Sequence, residues 1–204
     1  RDSLPQTDAD RAFHLVCRAT ELIDYKLPFA EPDQAAELIR HGQSLLDEAL
    51  SLDEKCFDAL RMKSGPEVAG LDPRHGFLVK REPEVRADCE QARDAQDPSE
   101  DEERVALGRA LAMRPYWRWL ASLAEGALIC GRNREAISWC ERLLQSDPAD
   151  TCDVRFTYAY ALAKLEDEAG LDALEARYAK ISPTRGADDA WMLMARMALA
   201  HKAC

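Results

Sequence analysis

Amphipathic segments of roughly 14 residues, each closed by a glycine, a proline or a polar turn, recur along this chain and limit what it can become. "GRNREAISWCERLLQSDPAD", from Gly131 to Asp150, has the pattern in its plainest form. A glycine and a polar turn lead into Asn133–Ser146, where Ala136, Cys140 and Leu143 share one side, and an Asp-Pro pair stops the helix. A helix this short cannot bury its apolar stripe alone, so it must pack on a neighbour of the same kind. No run rich in Val, Ile and Thr alternates with period two, and Ala, Leu, Glu and Arg dominate, so strands are not expected.

The same reading predicts the other elements. A first helix runs from about Thr7, its cap, to Tyr25, with Phe13, Val16, Ala19, Leu22 and Ile23 inward. Ala35, Leu38, Ile39, Gly42, Leu45, Leu46 and Ala49 mark a second, and "SLDEKCFDAL" opens a third with Cys56, Phe57 and Leu60 inward. Residues 64–81 carry Gly65, Pro66, Gly70, Pro73 and Gly76, which predicts the longest loop, followed by a modest helix from about Pro83 to Ala95. In "DAQDPSEDEER", Ser99 and Glu102 have capping-box spacing, so a helix is expected to start there. Pro115 suits the first turn of a further helix that ends at Gly131. Helices are predicted over about Thr151–Leu165, Glu168–Ile181 and Gly186–His201, the last with Ala187, Ala190, Trp191, Met194, Met197 and Ala198 on one face.

In a window of about 34 residues from Trp117, Leu120 and Leu123 fill the large apolar places of a tetratricopeptide repeat's first helix. Ala124, Ala127 and Ala136 fill its small-residue crossing, Gly131 its turn, Cys140 and Leu143 its second helix, and Pro148 its stop. The stretch therefore resembles a tetratricopeptide repeat. "TCDVRFTYAYALAKLEDEAGLDALEARYAK" looks like an imperfect second copy through Val154, Tyr158, Ala161 and Ala169, without the turn glycine. "ELIRHGQSLLDEALSLDEKCFDAL" is similar to the second helix of one repeat and the start of the next. Residues 114–156 also resemble a stretch of the suppression-of-tumorigenicity-7 family, through Arg114, Pro115, Tyr116, Gly131, Arg132, Glu135, Ala136, Pro148, Asp150 and Arg155, and depart from it at "SDPADTCDV". These resemblances imply an all-α fold of antiparallel helix pairs forming a short tetratricopeptide-like α-solenoid, without enzymatic activity. The expected organisation is repeat-like helices over 1–63, an irregular connector with one helix over 64–98, and repeat-like helices with a capping helix over 99–204.

The formal net charge is −11, which repels phosphate backbones and anionic lipid, so neither a nucleic acid nor a membrane is the expected partner. No stretch approaches the roughly 18 apolar residues of a membrane span. The seven cysteines are widely spaced, form no C-x-x-C and often occupy apolar helical positions. They read as free thiols of a reducing, cytoplasmic compartment. The chain opens on Arg1 rather than Met, and we expect a piece of a longer protein.

Chemistry is sparse. His14 and Cys17 are three apart on one helix, but no second ligand pair lies near them, so no metal is expected. His41, His75 and His201 lack H-E-x-x-H context, and no P-loop, G-x-G-x-x-G or G-x-S-x-G occurs, so neither a cofactor nor a catalytic residue is expected. What remains is a binding face. By resemblance, a repeat's first helix shows its second, fifth, sixth and ninth places to the concave side. From Trp117 these hold Arg118, Ala121, Ser122 and Glu125, and from Thr151 they hold Cys152, Arg155, Phe156 and Ala159. Modules that clamp a C-terminal carboxylate resemble one another in using Lys and Asn there. Ala121, Glu125 and Ala159 argue against that ligand. Arg114 and Arg118 interleave with Tyr116, Trp117 and Trp119, which suits either a stacking platform or core packing. The expected partner-binding residues are therefore Arg114, Arg118, Trp119, Ser122, Glu125 and Arg155, gripping a protein or peptide segment of acidic or aromatic character. The alternative is that Arg118 and Arg155 pair with Glu125 and Asp153 and only solvate the surface. The apolar residues of "WMLMARMALAHKAC" lie on more than one face, which suits a homodimer contact or packing against a further domain. An enzyme with a helical cavity is the remaining rival.

Overall fold

The computed structural model describes residues 7–67, 69–98, 101–186 and 189–202, and every regular element among them is helical. The chain forms two compact units, 1–69 and 70–204. The break between them falls inside the segment expected as an irregular connector with one helix, 64–98, and that helix is long and packs on its successor.

The first unit holds α1 (Asp8–Thr20), α2 (Pro32–Leu52) and α3 (Phe57–Glu67). Thr7 caps α1 as predicted: the Asp10 amide donates to Thr7 Oγ1 at 3.1 Å and the Thr7 amide to Asp10 Oδ2 at 3.2 Å. Ala12, Leu15, Val16 and Ala19 of α1 pack with Leu45, Leu46 and Ala49 of α2. Phe13, expected inward, is exposed, because the i, i+3, i+4, i+7 stripe starts one residue earlier, at Ala12. A π-helical turn over Glu21–Lys26 follows α1. There an ideal Cβ on Gly42 would lie 2.8 Å from the Ile23 side chain, so glycine permits the close approach of α2.

The second unit comprises α4 (Leu71–Asp94), α5 (Glu102–Ile129), α6 (Asn133–Ser146), α7 (Arg155–Lys164), α8 (Glu168–Ile181) and α9 (Ala190–Lys202). The predicted loop over 64–81 is not found: α3 runs to Glu67 and α4 begins at Leu71, after Gly70 with φ 94°. Pro73 sits in the first turn of α4, where an amide hydrogen is dispensable. Pro83 lies inside α4, but His75, Leu78, Glu82, Val85 and Cys89 form a buried stripe across it, and packing on α5 overrides local propensity. Pro115 likewise lies inside α5 and does not start a helix, since the buried series Met113, Tyr116, Leu120, Leu123 and Ala127 runs straight past it. The cap of α5 is Asp101, whose Oδ1 accepts the amides of Glu103 at 3.1 Å and Arg104 at 3.2 Å. The expected cap Ser99 lies outside the described residues.

Gly131, with φ 77°, turns α5 into α6 as predicted, and the Arg132 amide closes the turn on the Ala127 carbonyl at 2.8 Å. Ala127, Ala136 and Ala161 are fully buried in one cluster where α5, α6 and α7 meet. α7 starts at Arg155 and not at Thr151, because residues 147–154 form a loop built on aspartates. α8 matches its predicted bounds. At the α7–α8 turn Glu166, with φ 58°, takes the left-handed place where a turn glycine is missing. α9 is turned relative to expectation. Met192 and Ala195 are buried, while Trp191 and Met194 are exposed and Met197 is 72% exposed. Ala187 lies outside the described residues. A helix apolar on several faces leaves its rotation to the packing partner, here α7. Cys17, Cys56, Cys89, Cys130, Cys140 and Cys152 are unbridged, and among the described residues no helix is long and apolar enough to cross a membrane.

Candidate interaction site

The expected binding residues divide into two groups. Trp119 belongs to the core. It is fully buried, and its Nε1–H donates to the Leu78 carbonyl at 3.0 Å, tying α5 to α4. It is therefore no stacking platform; its turn of α5 faces α4. Arg155 is also withdrawn from any groove. It is buried, pairs with Asp153, and places Nε 3.4 Å from Asp189 Oδ2 and its guanidinium 4.2 Å from the Phe156 ring centre. Counting places from Thr151 fails because α7 begins four residues later. Arg155 is a clamp between the 147–154 loop and the start of α9; Asp153 is the partner that the alternative reading named, but the buried side chain does not merely solvate the surface.

The other four residues share one side of α5. Arg114 and Glu125 are exposed, and Arg118 and Ser122 are half-buried. Spacings of three and four residues keep Arg114, Arg118, Ser122 and Glu125 along one line of the helix. Tyr116, on the opposite side, and Trp117, on the flank, are both buried. Trp117 Nε1 donates to Ser146 Oγ at 2.8 Å. The Tyr116 hydroxyl donates to buried Glu82 Oε1 at 2.6 Å, and Arg142 reaches the same oxygen at 3.0 Å. Burial and the Glu82 carboxylate push the Tyr116 pKa far up, so this hydroxyl remains a donor.

Ser122 and Glu125 also line a small open cleft of about 50 Å³ against the start of α4, with Arg74, His75 and Leu78 opposite. His75 is only 1% exposed, and its Nε2 lies 2.9 Å from Glu135 Oε1 on α6. A carboxylate accepts only, so Nε2 carries the hydrogen and Nδ1 presents a lone pair. Nδ1 has no hydrogen-bond partner. It rests against Gly126, where an ideal Cβ would come within 3.0 Å of it. Burial raises the Glu135 pKa, but the hydrogen bonds from His75 and Trp139 outweigh it and hold the carboxyl below its ordinary value. Arg132 braces the same corner, 2.9 Å from Asp72 and 3.7 Å from Glu135.

Sequence reasoning missed Arg74 and His75 because glycines and prolines disguised the start of α4 as a loop. The signal was present in the spacing of His75, Leu78, Glu82, Val85 and Cys89. His14 and Cys17 gain no further ligands: no group of three or more metal-binding side chains occurs among the described residues. No family model, curated protein or solved structure matches the chain.

Proposed function

We propose that the protein is a non-catalytic protein–protein interaction module, a short helical-repeat array of the tetratricopeptide kind that binds a protein segment along the outer side of α5. The observation that carries this reading is the placement of Ser122 and Glu125. Chosen on repeat register alone, they line a cleft beside a buried imidazole with an unpartnered nitrogen. A partner donor that reaches this nitrogen satisfies an acceptor that is otherwise buried at a cost. Nothing in this action needs a cofactor, and the free thiols suit the cytoplasm.

Selection of a displayed peptide library on the full chain tests the reading. Selected peptides should lose at least about tenfold in affinity, or 1.4 kcal/mol, when Ser122→Trp and Glu125→Arg block the cleft. Failure to select any peptide, or undiminished binding by the blocked variant, overturns it. A second reading, self-association through α9, is favoured by the exposed Trp191, Leu193, Met194 and Met197. Sedimentation would then show a dimer that Met197→Asp dissociates.

A further inference from the structure

The line of α5 that carries Arg114 and Arg118 extends in both directions. Arg104, Leu107, Leu111, Arg114, Arg118 and Ser122 follow one another at intervals of three or four residues. At 100° per residue they fall within one sector less than a quarter-turn wide, opposite the side that α5 buries. The two leucines lie in that line without cover: Leu107 is 56% and Leu111 47% exposed. Isolated exposed leucines are ordinary. A leucine pair one turn apart, framed by arginines above and below, is a seam of the kind that helices use on one another. The residues directly above and below the pair in this line are arginines, and the nearest carboxylates, Glu103 and Glu125, stand at its edge and at its far end, in a chain whose net charge is −11.

Charge decides what fits. A second copy of this chain does not. Antiparallel self-pairing centred on Leu111 would set Arg104 against Arg118 of the other copy, and in-register parallel pairing would set each arginine against itself. Like charges placed opposite each other oppose association. An acidic helix meets the arginines with carboxylates and the leucines with its own apolar stripe.

We propose that this seam of α5 docks an acidic amphipathic helix of a partner protein, with leucine-type residues at heptad spacing and glutamates on either side of them. The proposal rests on the interaction-module reading and names the chemistry of the partner. Exposed Arg114 takes a carboxylate in bidentate fashion, and Arg104 and Arg118 add positive charge on either side of the leucines. Leu107 and Leu111 take the apolar stripe.

The probe is a designed helical peptide of about three heptads, with Leu at the a and d positions and Glu at e and g, labelled for fluorescence anisotropy. A twin peptide carries Lys in place of each Glu. The wild-type full chain should bind the Glu peptide, less tightly as salt rises, and should not bind the Lys twin. Arg114→Glu should weaken the Glu peptide at least tenfold and gain affinity for the Lys twin, while Leu107→Ala with Leu111→Ala should weaken it without altering the salt dependence. These side chains are exposed, and unchanged melting curves of the variants will show that the fold is kept. Equal binding of both peptides, or binding of the Glu peptide that Arg114→Glu leaves unchanged, overturns the proposal. If the Glu peptide does not bind while library peptides still select the Ser122–Glu125 cleft, this proposal fails and the interaction-module reading stands. If no peptide of either kind binds, both fail.

Discussion

Ala136 sits with Ala127 and Ala161 where three helices meet, and none of the three retains any exposed surface. A larger side chain has nowhere to go, so Ala136→Leu should cost about 1–3 kcal/mol and lower the melting temperature. An unchanged melting curve would show that the crossing yields. Gly126 offers a sharper measurement. Replacing a helical glycine by alanine ordinarily gains roughly 0.5–1 kcal/mol. Here the new methyl would press on the imidazole of His75, which Glu135 holds in place. Gly126→Ala should therefore gain nothing in the wild type and should recover its gain once His75→Ala has emptied the space. A double-mutant cycle should give a coupling above about 0.5 kcal/mol, and additive effects would show that the ring moves aside freely. The two positions differ in how far sequence revealed them. Ala136 was legible because the spacing of Gly131, Ala136 and Pro148 is local. The meeting of His75 with Gly126 and Glu135 joins residues far apart in the chain, and no local pattern announces it.

At the scale of elements, the 147–154 loop decides where α7 begins. Asp150 is fully buried and has φ 52°. Its carboxylate accepts the Val154 amide at 2.8 Å, the Arg155 amide at 3.2 Å and the Tyr178 hydroxyl at 2.8 Å. It thus caps α7 and fastens α8 to the same point. Asp150→Ala should cost at least about 2 kcal/mol in chemical denaturation. Asp150→Asn keeps one acceptor and tolerates the left-handed backbone, so it should cost less. Equal losses for both would mean that the charge, and not the cap, is what counts. The predicted start at Thr151 failed for the same reason: apolar periodicity does not reveal that a side chain will replace helical hydrogen bonds. Gly and Pro misled in the opposite direction over 64–81, where a buried stripe outweighed their propensities. α9 was located but its rotation was not, since a helix apolar on several sides does not specify which side is covered.

At the scale of the molecule, the chain has two compact units, and the first has a core of its own around Val16, Leu46 and Ala49. Residues 70–204 expressed alone should show helical circular dichroism and a cooperative melt. A non-cooperative melt would show that this unit depends on the first. The indoles place a further handle on the same question. Trp117, Trp119, Trp139 and Trp191 all belong to the second unit, and residues 1–69 contain no tryptophan. Emission excited at the red edge of the absorption band therefore reports residues 70–204 alone, whereas ellipticity reports the whole chain. Superposed transitions by the two probes would make the chain a single cooperative system. An ellipticity change that proceeds while the emission stays constant would be the optical record of the first unit melting by itself.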